Sequence, residues 1–385
     1  MLHRSLKIDL PKGQSAFLWG PRKTGKTTLI QSLFPKSIAY NLLETDTYLR
    51  LSKEPFRLRE ELAEIRTVSS NEQPIILDEV QKIPQLLDEV HNLIEQKGLS
   101  FFLCGSSARK LKKGHANMLG GRAWRYELYP LTSHELGKEF DLMKALNRGL
   151  IPSHYLSDYY AKSIKTYIQD YLKEEIQSEG LVRNLPAFAR FLDTVPFNNG
   201  ELVNFSNIAR ECSVDSKTVA AYYQILVDTL MGYFIEPFRK VKNRQIIGAT
   251  PKFYLFDVGV AGGMSQRTLS INKGDEFGKA FEHFILMELI AYRAYSERDF
   301  HISFWRTKDG LEVDFVLNHG EVALEVKGIS HVGTSDLKGL SAFREEHHPK
   351  HSILICQEPK PRKLENGITI LPWKIFLERL WNGDF

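Results

Sequence analysis

The sequence predicts an α/β protein in three parts: a parallel-sheet domain over residues 1–150, a helical domain with a winged-helix layout over 151–274, and a second α/β domain over 275–385. Three observations predict this. Up to Leu131, short apolar runs alternate with amphipathic stretches, the pattern left when helices cover a parallel sheet. Between Leu202 and Phe256, two helical segments are followed by two strand-like runs. From Asp275, a long helical pattern precedes strands that are bounded by turn residues.

The first strands are read at Ser15–Trp19, Ser37–Asn41, Pro74–Asp78 and Ser100–Cys104, with a helix over Gln85–Gln96. Gly149 to Pro152 marks a boundary, where turn residues flank a change of pattern. Tyr155–Leu192 reads as helical. Leu202–Gly232 holds two helices around a break near Ser213, and a hairpin follows from Tyr233–Phe238 and Lys252–Phe256. The last part gives a helix from Asp275, strands at Ile302–Arg306, Leu311–Leu317 and Glu321–Lys327, and a helix near Ser335–Glu346. A strand at Ser352–Cys356 and a final strand–helix complete it.

Composition sets limits on function. The 385 residues are 43% hydrophobic and 25% charged, an ordinary globular balance. No apolar run approaches the roughly 20 residues of a membrane span, and the N-terminus lacks an apolar signal core, so the expectation is a cytoplasmic protein without a membrane partner. Cys104, Cys212 and Cys356 are too scattered for a disulfide framework or a zinc site. A net charge of +4 permits nucleic-acid binding without requiring it.

Gly20 to Thr27 fits G-x-x-x-x-G-K-[ST] without a mismatch, between a strand and a helix. Gly20 and Gly25 let the loop curl, so that the backbone of Gly20, Pro21, Arg22, Lys23, Thr24 and Gly25 can face phosphates at a helix N-terminus that Thr28 continues. Lys26 is expected to reach the β- and γ-phosphates of ATP and Thr27 to ligate Mg²⁺. The apolar run ending in Asp78 and Glu79 supplies a carboxylate for Mg²⁺ and a neighbour able to polarise the attacking water. At the tip of the next strand, Ser106 or Ser107 can sense the γ-phosphate, or simply cap a turn. Arg122, after a glycine turn, is a candidate arginine finger acting on a neighbouring subunit's ATP, with Arg109 a second candidate. Either can equally be a solvated charge.

In the middle part, Ile208, Ala209, Val214, Val219 and Leu226 are spaced to form the core of a helix–turn–helix, with Asp215 or Ser216 capping its second helix. Ser216, Lys217 and Tyr222 are expected on the exposed side. Arg239, Lys240, Lys242, Arg244 and Lys252 would make a basic wing suited to DNA phosphates. Such modules also serve protein contacts. In the last part, a two-residue turn at His319-Gly320 would set Asp314 opposite Glu325, with Lys327 on the same face and Glu312 beside it. Two carboxylates and a lysine can bind Mg²⁺ and support attack on a phosphate, or form a structural salt-bridge cluster. Glu282, on an otherwise apolar helix face, is expected to have a partner or a role there.

These residues resemble a large prokaryotic family of AAA-plus-like ATPases whose C-terminal region, of unknown function, carries a winged helix and a restriction-endonuclease-like fold. The resemblance covers essentially the whole chain. Its most telling stretches are Leu77–Pro84, Gly105–Ala108, Gly121-Arg122, Glu127–Leu131, Lys252–Gly259, Gly278–Glu282, Val313–Phe315 and Glu325–Lys327. It implies ATP and Mg²⁺ as cofactors, with Lys26, Thr27, Asp78 and Glu79 as the ATPase residues. Glu282, Asp314, Glu325 and Lys327 match a PD-(D/E)xK nuclease pattern. The family's substrates are poorly defined, so DNA is the partner expected by analogy alone; Ser106-Ser107 at the strand tip and Arg122 beyond it point to a homo-oligomer. The alternative is a switch or remodelling motor whose C-terminal part binds without cutting.

Overall fold

The computed structural model describes residues 2–68, 73–106, 119–172, 184–239 and 250–385. Ser107, Arg109, Lys240, Lys242 and Arg244 lie outside these. Two compact units are present: residues 6–130 with 228–231, and residues 1–5, 131–227 and 232–385.

In the first unit, five strands form one parallel sheet: β1 Ser15–Trp19, β2 Ala39–Asn41, β3 Ile75–Asp78, β4 Phe101–Gly105 and β5 Ala123–Glu127. Their spatial order is β2-β3-β4-β1-β5. Phe17, Leu77, Phe101 and Leu103 are fully buried, which is what a sheet covered on both faces requires. β5 escaped the sequence reading because it is an edge strand of half-exposed and exposed residues with no apolar run. The order has one consequence for function. β4 lies between β1 and β3, so its tip falls between the Gly20 loop and the Asp78-Glu79 pair.

The second unit is built on an eight-stranded mixed sheet, ordered β12-β13-β11-β10-β9-β8-β6-β7. Its strands are β6 Gly232–Pro237, β7 Lys252–Leu255, β8 Ile302–Arg306, β9 Glu312–Leu317, β10 Val322–Val326, β11 His351–Cys356, β12 Arg362–Lys363 and β13 Thr369–Pro372. The helices Asp275–Tyr295 and Lys338–His347 pack against it. The hairpin β6–β7 forms as expected, but β6 also pairs with β8 through Glu236↔Ser303 and Pro237↔Phe304. The strands expected as a wing thus extend the C-terminal sheet, and Lys252 is 5% exposed instead of displayed to solvent.

Ahead of this sheet in the sequence come the helices Leu185–Thr194, Phe205–Cys212 and Ser216–Asp228. Ser213 turns the chain in the left-handed region at φ 55°, and Asp215 caps the last helix by accepting from Thr218 N at 2.9 Å. Ile208, Ala209, Val219 and Leu226 are buried as expected. Tyr222 is not exposed: its ring meets Phe188 at 4.9 Å and Phe191 at 5.4 Å. Its neighbour Tyr223 packs on Phe253 of β7 at 4.7 Å, so the aromatic core runs from the helices into the hairpin. Among the described residues no helix is long and apolar enough to cross a membrane.

Candidate functional site

Two clusters bring the expected residues together, one in each unit. The first sits at the carboxyl ends of β1, β3 and β4, where open parallel sheets bind ligands. The loop after β1 enters the helix Lys26–Leu33 through Gly25 at φ 95°, a left-handed conformation that a residue with a Cβ adopts only under strain. Lys26 is buried and donates from Nζ to the carbonyls of Gly20 and Pro21, at 2.8 and 2.9 Å. Thr24 turns inward, its hydroxyl donating to Pro21 O at 2.9 Å, so its side chain braces the loop. Lys23 and Thr28 are exposed and Arg22 half-buried.

Thr27 Oγ1 donates to Asp78 Oδ2 at 2.8 Å across 51 residues of sequence. Two hard oxygen donors at hydrogen-bond distance beside a phosphate-binding loop fit Mg²⁺, which takes one or two protein oxygens and completes its shell with water and phosphate. Cys104 donates to the other oxygen, Asp78 Oδ1, and fixes the carboxylate from behind. Glu79 stands at φ 60°, left-handed, at the end of β3. Burial pushes its carboxyl above the ordinary range, against the pull of the Lys26 ammonium.

Gln81 is the residue that sequence reasoning missed here. Buried at 5% exposure, it donates from Nε2 to Glu79 Oε2 at 2.5 Å and to Ser106 Oγ at 3.0 Å. It thus ties the candidate base to the candidate sensor. The amide lies so close to β4 that a Cβ on Gly105 would stand 2.2 Å from Gln81 Oε1. Arg122 immediately precedes β5 and pairs with Glu95 on the exposed surface.

The second cluster is assembled on β7, β9, β10 and the helix Asp275–Tyr295. The β9–β10 ladder closes at Leu317↔Val322, so the connection takes four residues, Asn318–Glu321, rather than two. Asn318 and His319 make it possible by both adopting positive φ, 48° and 57°. The register is still the expected one. Phe315 faces Leu324, and the next step brings Asp314 and Glu325 together. Asp314 Oδ2 accepts from Val326 N at 2.8 Å, and Lys327 Nζ lies 2.7 Å from Glu325 Oε1. Glu325 Oε2 is buried without a hydrogen-bond partner among the described residues.

Glu282 reaches this cluster from the long helix, but through residues not foreseen. Tyr254 Oη donates to Glu282 Oε1 at 2.5 Å, and Lys252 Nζ lies 3.6 Å from that oxygen and 2.5 Å from Glu312 Oε1. The signal was present: a lysine inside the apolar run Lys252–Phe256 needs a partner if the run is buried. Arg306 closes the set at 3.1 Å from Glu312 Oε2. Burial raises the carboxyls of Glu282, Asp314 and Glu325 to about 7 each; Asp314 adds to the shift of Glu282, and Glu325 to that of Asp314. Burial pulls the Lys252 ammonium down, but Glu282, Asp314 and Glu312 outweigh it and leave it above its ordinary value. Among the described residues, no three of His, Cys, Asp and Glu are grouped to hold a metal ion by themselves. The residues present fit a divalent ion that takes two carboxylates, Asp314 and Glu325, and water for the rest.

Of the expected DNA-contacting residues, Lys217 and Arg239 are exposed and Ser216 is half-buried.

Comparison with known proteins divides the chain in three. Residues 12–137 match an AAA domain, residues 139–270 a domain of unknown function, DUF8612, and residues 277–376 another, DUF4143. An uncharacterized protein of Methanocaldococcus jannaschii is 22% identical over 347 residues, 82% of this chain and 75% of its own length. An uncharacterized protein of Haemophilus influenzae is 20% identical over 335 residues, 80% of each. Among solved structures, the Aeropyrum pernix ORC1 protein in complex with DNA aligns with 66% of this chain and 86% of its own, at 15% identity and a TM-score of 0.28. The ADP form of ORC2 from the same organism aligns with 66% and 88%, at 12% identity and a TM-score of 0.33. The N-terminal part of the chain is accordingly an AAA-type P-loop ATPase domain, continued by two domains to which the family models attach no function.

Proposed function

We propose that the chain is an ATP-dependent DNA-processing enzyme, in which the AAA-type domain governs a metal-dependent phosphodiester-cleaving site in the C-terminal part. The observation that carries the second half is the convergence of Asp314, Glu325 and Lys327, with Glu325 Oε2 buried and unpartnered among the described residues. A buried carboxylate oxygen without a partner costs stability unless a ligand uses it.

In the ATPase site, Lys26 exchanges the carbonyls of Gly20 and Pro21 for the β- and γ-phosphates. Thr27 and Asp78 hold Mg²⁺, and Glu79 accepts the proton of the attacking water. Gln81 relays the state of the γ-phosphate from Ser106 to Glu79. Subunits assemble so that Arg122 reaches a neighbour's ATP. Its pairing with Glu95 is exposed and solvent-screened, so releasing it costs little. In the C-terminal site, Asp314 and Glu325 hold a divalent ion, which supplies Lewis-acid stabilisation of the phosphate. Lys327 orients the nucleophile and offsets developing negative charge. Lys217 and Arg239 contribute phosphate contacts.

The test is cleavage of end-labelled single-stranded, duplex and branched DNA with Mg²⁺ or Mn²⁺, with and without ATP. Asp314→Ala should abolish cutting, and Glu79→Gln should abolish its dependence on ATP hydrolysis. A second reading, a nucleotide switch whose C-terminal part binds without cutting, is favoured by the bonds the site already makes within itself, Lys327 to Glu325 Oε1 and Val326 N to Asp314 Oδ2, as in a structural salt-bridge cluster. No cutting of any substrate, or cutting by Asp314→Ala at the wild-type rate, would decide for it.

A further inference from the structure

Four carboxylates enter the C-terminal cluster, yet they are not equivalent. Glu282 and Glu312 are already committed. Lys252 Nζ contacts both, at 3.6 and 2.5 Å, Tyr254 donates to Glu282, and Arg306 reaches the second oxygen of Glu312. Lys252 holds this place from a strand of the hairpin, 5% exposed, with the Phe304 ring centroid 5.5 Å from its ammonium. Asp314 and Glu325 stand differently. Glu325 is 5% exposed, and its Oε2 has no partner among the described residues while its Oε1 takes Lys327.

The charges decide what the cluster can accept. With all four acids ionised, Glu282, Glu312, Asp314 and Glu325 face Lys252, Arg306 and Lys327, which leaves one negative charge. One divalent ion turns that into one positive charge, and the single negative charge of a phosphodiester then cancels it. A second divalent ion would add two more positive charges to a largely desolvated site before any substrate arrives, and burying unpaired charge is costly.

We infer that Lys252 is a built-in cation that takes the role of a second metal, so that the C-terminal site binds one divalent ion, on Asp314 and Glu325, and a singly charged phosphodiester. Glu282 and Glu312 serve Lys252 and are not metal ligands. This rests on the reading of Asp314 and Glu325 as a metal site.

The experiment counts ions. Mn²⁺ binding to the full-length, nucleotide-free chain is followed by the electron paramagnetic resonance of free Mn²⁺, in a background of Asp78→Asn to silence the ATPase site. The expected count is one ion per chain, lost in Asp314→Asn/Glu325→Gln and kept in Glu312→Gln with affinity within about twofold. Lys252→Met is expected to raise the count to two. Two ions in the unaltered cluster, loss of the ion in Glu312→Gln, or a count still at one in a folded Lys252→Met chain would each overturn the inference and leave the metal-site reading standing. No ion in the unaltered cluster would overturn both. Should Lys252→Met not fold, the unaltered and Glu312→Gln counts decide.

Discussion

Replacing Asp314 by Asn should flatten the pH dependence of stability around β10, because the structure makes the charge, and not the shape, of Asp314 expensive. An amide oxygen can still accept from Val326 N, which now donates to Oδ2 at 2.8 Å. What disappears is a carboxyl whose pKa is raised from 3.8 to about 7, by burial first and by Glu325 second, against Lys252 and Lys327. A carboxyl with a raised folded-state pKa contributes its stability below the unfolded value and loses it as the pH rises through the folded one. Between roughly pH 4 and 7 only the folded state holds the proton, so wild type should lose up to about 1.4 kcal/mol per pH unit from this group. From pH 5 to pH 8 that reaches an upper limit of about 2.7 kcal/mol, or roughly 100-fold in protection. The assay is amide exchange of the peptide covering Val322–Val326 in the full chain, corrected for intrinsic rates. It reads local opening without requiring two-state unfolding of the whole chain. Wild type should lose protection steeply over this range and Asp314→Asn much less, all the more because Asp314 also raises Glu282. Parallel profiles for the two chains would refute the reasoning.

In the ATPase site, Glu79→Gln should cut ATP turnover by about 10²–10⁴-fold while a fluorescent nucleotide still binds within a few-fold of wild type; unchanged turnover would remove Glu79 from the mechanism. Gly105→Ala would drive a Cβ to 2.2 Å from Gln81 Oε1 and 2.9 Å from the Trp19 ring, so it should cost about 1–3 kcal/mol and lower turnover, measured by thermal unfolding and phosphate release. Tyr222→Ala should destabilise by about 3–5 kcal/mol, through loss of its packing on Phe188 and Phe191, and leave the salt slope of DNA binding unaltered. Lys217→Ala should do the reverse, shifting that slope by about one with no change in stability.

How much was legible depended on how local the determinants are. The loop from Gly20 to Thr27 is a contiguous constraint, and Thr27 meets Asp78 because both sit at strand ends of one sheet. The pairing of Asp314 with Glu325 was legible through numbering alone, even though the turn was assigned two residues and has four. What escaped depended on strand order. Gln81 reaches Ser106 only because β4 lies beside β3. Lys252 and Tyr254 read as parts of a wing until β6 is seen to pair with β8. Tyr222 is a different case. Val219, Tyr222, Tyr223 and Leu226 follow the spacing of one buried helix face, and a full count of that pattern would have placed it inside.

The position of Lys252 also bears on how such a chain can evolve. The lysine belongs to the stretch matched by DUF8612, and the acids it neutralises belong to the one matched by DUF4143. Recombination that brought in a new C-terminal part without its hairpin would strip the half-buried Glu282 of Lys252 and Tyr254 and leave Glu312 with Arg306 alone. Selection on stability alone would then keep the two stretches together as one heritable block.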